Sequence, residues 1–333
     1  MKTIKYLFER DRKPKHGLTW YEWAMMVYVT MTTVVALLMK QQLVNPDAIF
    51  QWRVQAVAMT VGLWTVYRLY PCRLTMLARM LLQVAMLGTW YPDVYEFNRS
   101  LPCLDHIFVA YEQQLFGCQP SLLFSKHWPS PVVSELVELG YSSYYFIIGG
   151  VLLWFFCRLY HQFERATFVV LASFFIYYTV YLFLPVVGPQ YYFAAVGLDE
   201  IARGHFPDLG HYFMNNQDCL SIPGVKSGLF HRLVQLAHDA GERPTAAFPS
   251  SHVGVSTILM LLSWQQVSQP KGTTWLARVL AHRLFWALMP LFLLLCLGTV
   301  YIYAHYAIDV IGGLASAVAL YPMLWLASAK ATA

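Results

Sequence analysis

Two histidines and an aspartate in this chain of 333 residues have types and spacings that fit one kind of chemistry. His305 and Asp309 lie four residues apart in GTVYIYAHYAIDVIGG, residues 298–313. On a helix that begins near His305 they share a face, with Cβ atoms about 5–6 Å apart. The carboxylate can then accept from one ring nitrogen, which leaves the other as a nucleophile. His252 lies in AAFPSSHVGVS, residues 246–256, directly after Pro249, Ser250 and Ser251. Proline followed by serines reads as a helix start, where free N–H groups and hydroxyls can hold a phosphate. Covalent phosphoryl transfer needs a nucleophile for phosphorus, a general acid for the leaving oxygen and donors for the remaining oxygens. Histidine can fill either of the first two roles because it titrates near neutral pH.

The elements that must position these residues are apolar helices. The chain is 58% hydrophobic and only 12% charged. Runs long enough to cross a ~30 Å hydrocarbon core recur at about 22–39, 54–70, 76–91, 141–160, 166–187, 250–268, 284–303 and 307–328. The third is the weakest, because Arg79 and Gln83 interrupt it. Short cytoplasmic loops are enriched in Lys and Arg. With the N-terminus inside, that side collects 15 of the 23 basic residues and 4 of the 18 acidic ones. The expected architecture is therefore an all-α, multi-pass membrane bundle of about eight transmembrane helices, with both termini cytoplasmic. His252 and His305 then meet at the same non-cytoplasmic boundary.

The net charge of +5 reflects this topology and gives no reason to invoke nucleic acid. The basic N-terminus precedes a long apolar run without a small-residue cleavage site, which reads as a retained anchor. The six cysteines include no CxxC pair and no metal-ligand spacing. Cys103, Cys118 and Cys219 fall on the oxidising side, where a Cys103–Cys118 bridge and unpaired thiols both fit.

Residues 1–75 read as a cytoplasmic segment with two extra membrane helices, and 76–330 as the domain carrying the chemistry. Within the latter, an outer segment at 92–140 contains LDHIFVAYEQQLFGCQP. Leu104, Ile107, Phe108, Tyr111, Leu115 and Phe116 recur there at helical spacing, as in an amphipathic helix lying in the membrane interface. A polar outer loop at 188–249 is entered through LFLPVVGPQYYF, where Pro185, Gly188 and Pro189 end the fifth span. It runs directly into His252.

At these residues the sequence resembles the type 2 phosphatidic acid phosphatase superfamily. FPSSH and HYAIDVIGG resemble its second and third signature motifs. LDHIFVAYEQQLFGCQP, GPQYYF, AFPSSHVG and AHYAIDVIGG, in that order, are most similar to the branch of fungal-type inositol phosphorylceramide synthases and grouped bacterial membrane proteins. The resemblance implies a six-helix catalytic core, with His305 forming a phosphohistidine, Asp309 orienting it and His252 protonating the departing oxygen. No metal or cofactor is implied. The family's first motif and a serine–arginine pair upstream of the third are absent, since Gly298–Thr299 stands where that pair would be. Gln190 lies where relatives often carry arginine. Ser250, Ser251, Gln190 and Arg243 are the candidate phosphate ligands, with Lys226 and Arg203 as further cations in the outer loop.

The implied partners are membrane lipids, as substrates of a head-group transferase or of a phosphatase. The transferase takes a phospholipid donor and a ceramide or diacylglycerol acceptor. The phosphatase hydrolyses a lipid phosphate with the same three residues. A weak basic complement favours a diester. A lipid transporter is the third reading, but titratable groups cluster at one boundary and none besides the marginal Arg79 reads as mid-membrane, where a two-sided pathway wants them. A metal site of His252, His305 and Asp309 lacks a fourth ligand. His205 and His211 are placed to touch a head group; the remaining histidines read as interfacial. Gly149–Gly150 and Gly312–Gly313 read as close helix contacts.

Overall fold

In hydrocarbon no water satisfies backbone N–H and C=O groups, so a chain this apolar must pair them internally. A computed structural model, describing residues 2–224, 228–265 and 282–331, does so with helices. Among those residues there is no strand, only an isolated bridge between Arg10 and Cys72. Lys226, Lys271 and Arg278 lie outside the described residues.

The chain begins with α1 (Lys2–Leu7), α2 (Trp20–Leu38), α3 (Pro46–Leu69) and α4 (Arg73–Asn98). The outer segment forms α5 (Asp105–Phe116), α6 (Pro120–His127) and α7 (Pro131–Ser142), and α8 (Tyr144–Arg158) and α9 (Tyr160–Phe183) follow. Short α10 (Pro189–Val196) and α11 (Leu198–Ala202) lead to α12 (Leu229–Gly241). Then come α13 (Ser251–Gln265), α14 (Arg283–Tyr301) and α15 (Ala307–Ala327). Helix α2, α9, α14 and α15 are each long and apolar enough to span a membrane, and the pair α7–α8, bent by 45°, adds a fifth candidate. Helices also occupy the other expected runs. Those of α3 and α4 are less apolar because they carry ion pairs.

Their buried charges Arg53, Arg79 and Asp93 are matched, as charges in an apolar interior must be. Arg79 Nε donates to Glu22 Oε1 at 2.7 Å, and Arg53 Nη2 to Asp93 Oδ2 at 2.8 Å. Gln83 Nε2 donates to Thr60 Oγ1 at 3.0 Å. The interruption at Arg79 is thus a tie between α4 and the start of α2.

Helix α9 is the hub, packing on α2, α4, α8, α13 and α15. Its buried tyrosines Tyr177, Tyr178 and Tyr181 form one side of the main core. Gly313 on α15 faces the start of α13, where a Cβ would sit 2.5 Å from the Ser250 carbonyl oxygen. Gly312 packs as closely on Phe248. By contrast, Gly149 and Gly150 have no neighbour within 4 Å of a Cβ position, so that pair is not a helix contact. All six cysteines are free, and the Cys103 thiol instead donates to Asp105 Oδ2 at 3.2 Å.

Helix α5 turns part of its apolar stripe outward, while Leu104 and Phe108 pack against a buried cluster. Ile107, Tyr111, Leu115 and Phe116 are exposed, while Asp105, Val109 and Glu112 are buried. An aqueous surface helix shows the reverse. This orientation suits a helix whose outer face meets lipid.

Candidate active site

Residues 298–309 and 246–254 form two facing turns. Pro249 precedes a helix start at which Ser250 Oγ accepts from Val253 N at 3.4 Å and the Ser250 carbonyl from Gly254 N at 2.9 Å. This is an N-cap, so Ser250 spends its hydroxyl on the helix it starts. On the other side, α14 ends and the chain reverses through Tyr303, whose φ is 66°. His305 N donates to Thr299 O at 3.0 Å, and Asp309 Oδ2 accepts from Tyr306 N at 2.8 Å, closing the first turn of α15. Ser250 N donates to Asp309 O at 3.0 Å and joins the turns. Backbone strain gathers here: Ala246 also has positive φ, 65°, and non-glycine residues held in that region are often found at functional sites.

The close approach at Gly313 brings the two histidines together. His305 Nε2 lies 3.4 Å from His252 Nδ1, with ring centroids 5.6 Å apart. His305 Nδ1 is 2.9 Å from the carbonyl oxygen of Ala247, which can only accept, so this nitrogen carries the proton and Nε2 presents its lone pair. Asp309 Oδ2 is 3.4 Å from the same Nδ1, a longer approach than the carbonyl makes. Burial pushes His305 down to about 4, against a partial opposing pull from the Ala247 carbonyl and the Glu242 carboxylate. The ring is therefore neutral at neutral pH and available as a nucleophile. His252 packs against the rings of Tyr141 and Tyr144, at centroid distances of 4.9 and 4.5 Å.

The candidate phosphate ligands divide. Gln190 comes beside the pair: its N–H donates to Tyr303 O at 2.9 Å and its Nε2 to Glu242 Oε2 at 3.4 Å. Ser251 is buried in the first turn of α13. Arg243 is directed elsewhere, donating to the Glu242 carbonyl at 2.9 Å and lining a cavity of about 320 Å³ with Trp52, Asp93 and Glu96. Arg203 and His205 both pair with exposed Glu200. Among the described residues, no arginine or lysine hydrogen-bonds to His252, His305, Asp309 or the Gln190 side chain. The described His, Cys, Asp and Glu side chains form no group able to hold a metal ion.

Several participants escape a reading of the sequence. Glu242 accepts from Tyr141 Oη at 3.0 Å, and Tyr141 in turn stacks on His252. Nothing local distinguishes Glu242 from other loop acids, and Tyr141 opens a span where aromatic residues are ordinary. Asp105 and Glu112 did leave a signal: they are seven residues apart and so share one face of α5.

A family model described as the PAP2 superfamily matches residues 106–323. No curated protein and no solved structure matches the chain.

Proposed function

Because the chain belongs to the PAP2 superfamily, a family of membrane lipid phosphatases and phosphotransferases, we propose that it is an integral-membrane lipid phosphoryl-transfer enzyme working through a phosphohistidine on His305. The reaction is head-group transfer of the inositol phosphorylceramide synthase type, from a phospholipid to the hydroxyl of ceramide or diacylglycerol, at the non-cytoplasmic face. The carrying observation is the opposition of His305 Nε2 and His252 Nδ1 across 3.4 Å.

In the first step the Nε2 lone pair of His305 attacks phosphorus, and the bond from phosphorus to the diacylglycerol oxygen breaks. His252, as imidazolium, gives its Nδ1 proton to that oxygen and becomes neutral, a general-acid contribution of typically ~10²–10⁴ in rate. Positive charge developing on His305 is stabilised by the Ala247 carbonyl and Asp309, which face Nδ1–H. In the second step the acceptor hydroxyl loses its proton to His252 and attacks the phosphohistidine, which frees His305.

Electrostatics favour a diester over a monoester. Besides Asp309, the Glu242 carboxylate, bonded to Gln190 and Tyr141, acts electrostatically on His305. A dianionic monoester is repelled by it more than a monoanionic diester is.

The test is purified protein in detergent with labelled phosphodiester lipid, with and without ceramide or diacylglycerol, beside a labelled lipid phosphate. Transfer of the head group supports the reading. Phosphate release from the monoester without transfer makes the protein a lipid phosphate phosphatase, and inertness toward both removes the enzymatic reading in favour of transport.

A further inference from the structure

Two buried carboxylates of α5 reach the turn that carries His305, yet no step above uses them. Asp105 is fully buried; its Oδ1 accepts from Tyr306 Oη at 2.9 Å and Gly188 N at 2.9 Å, its Oδ2 from Val187 N at 2.8 Å. Glu112, equally buried, accepts from Ile308 N at 3.0 Å through Oε2. The helix thus grips the residue after His305 at one end and the first turn of α15 at the other.

The loop that Asp105 holds adds a third anchor. Gly188 has φ of 92° and runs so close under the turn that a Cβ there would lie 2.9 Å from the Ala304 carbonyl oxygen. Two residues on, Gln190 N donates to Tyr303 O at 2.9 Å. Hydrogen bonds from α5 hold positions 306 and 308, the loop that Asp105 anchors holds 303 and packs under 304, and His305 lies between them.

A structural tie alone does not account for acids here. Burying carboxylates is costly, and well-packed apolar residues usually serve stability as well or better. What carboxylates supply is direction, because each oxygen accepts along a defined line. We propose that Asp105 and Glu112 are positioning residues for His305, holding its turn so that Nε2 faces His252.

Burial raises Asp105 above the usual carboxylate range, and burial, with Asp309 nearby, raises Glu112 to about 8. Glu112 is therefore protonated near neutral pH, and glutamine is its close neutral mimic. The inference rests on His305 as the nucleophile.

The experiment compares full-length wild type, Glu112→Ala and Glu112→Gln for the rate of covalent labelling and for the KM of a labelled phosphodiester donor. Displacing a nucleophile by about 1 Å can cost ~10²-fold, so Glu112→Ala should label about that much more slowly with KM unchanged. Glu112→Gln keeps an oxygen for Ile308 N and should restore the rate to near wild type. Wild-type labelling by Glu112→Ala, a loss that lies in KM alone, or a glutamine variant as slow as alanine overturns the proposal. If gel filtration shows Glu112→Ala misfolded, Ile308→Pro removes the donor at a first-turn position that tolerates proline. The same loss is expected there, and a wild-type rate overturns the proposal. Absence of labelling in the wild type itself instead overturns the phosphohistidine reading, and with it this inference.

Discussion

His305 Nε2 rests 3.4 Å from His252 Nδ1, while His305 Nδ1 is committed to the Ala247 carbonyl at 2.9 Å. With Nδ1 holding its own proton, the contact between the rings requires His252 to supply the hydrogen. In the proposed reaction the acid would thus wait against the lone pair of the nucleophile, and a phosphorus centre entering between them would meet both.

Replacement of the two histidines should have unequal effects. His305→Ala should abolish covalent labelling by substrate. His252→Ala should slow labelling by ~10²–10⁴ for a lipid alcohol leaving group and much less for a phenolic one, which needs no proton. Full activity in either variant would sink the assignment, and labelled donors of both kinds read the difference.

The pH dependence follows from the buried ring. His305 has its pKa lowered from 6.5 to about 4, so the unfolded chain takes up the proton first as pH falls. The stability that comes from keeping this ring neutral is complete above pH 6.5 and is lost between there and 4, a change on the order of 3 kcal/mol. With a phenolic donor, labelling should stay level to about pH 5 and decline toward 4. A midpoint at 6.5 in the labelling profile would mean that water reaches the ring.

Gly313→Ala should weaken both fold and chemistry. The added methyl meets the Ser250 carbonyl at 2.5 Å, so α13 and α15 must part at the turns that carry the histidines. Overpacking of this kind costs about 1–3 kcal/mol. Thermal unfolding in detergent should report that loss, and the labelling rate should fall with it. Gly149→Ala, with nothing within 4 Å of the new methyl, is the matched control and should do neither.

Arg79→Met should destabilise by roughly 3–5 kcal/mol, because it strands the buried Glu22 carboxylate. Adding Glu22→Gln should recover most of that loss while keeping the bond that Glu22 accepts from Thr19 N at 2.8 Å. Unfolding midpoints of the single and double variants check the pair, and equal midpoints would contradict it.

The parts of the molecule legible in the sequence are those written in local pattern. Apolar runs announced the helices, and the four-residue step from His305 to Asp309 brought the two side chains together, although α15 begins only at Ala307 and His305 lies in the turn before it. Gly312–Gly313 read correctly as a close contact, whereas Gly149–Gly150, identical as a dipeptide, faces open space. Such a difference arises from which helix lies opposite. Arg243 illustrates the same limit: its charge suggested a phosphate ligand, but the chain direction at Glu242 turns it toward α3 and α4. Ala247 could not be anticipated at all, because it acts through a carbonyl that every residue possesses. The carboxylates of α5 were obscured for another reason. In an interfacial helix the polar face is normally taken to point at water, and here it points at the protein.

The outward stripe of α5 carries one more consequence. Ile107 and Tyr111 are exposed on the side away from the buried Asp105 and Glu112. With that stripe seated among lipid, the depth at which the helix floats sets the height of the His305 turn relative to the plane of the phosphates. On the proposed function, the bilayer would then serve as a levelling surface as well as the source of substrate.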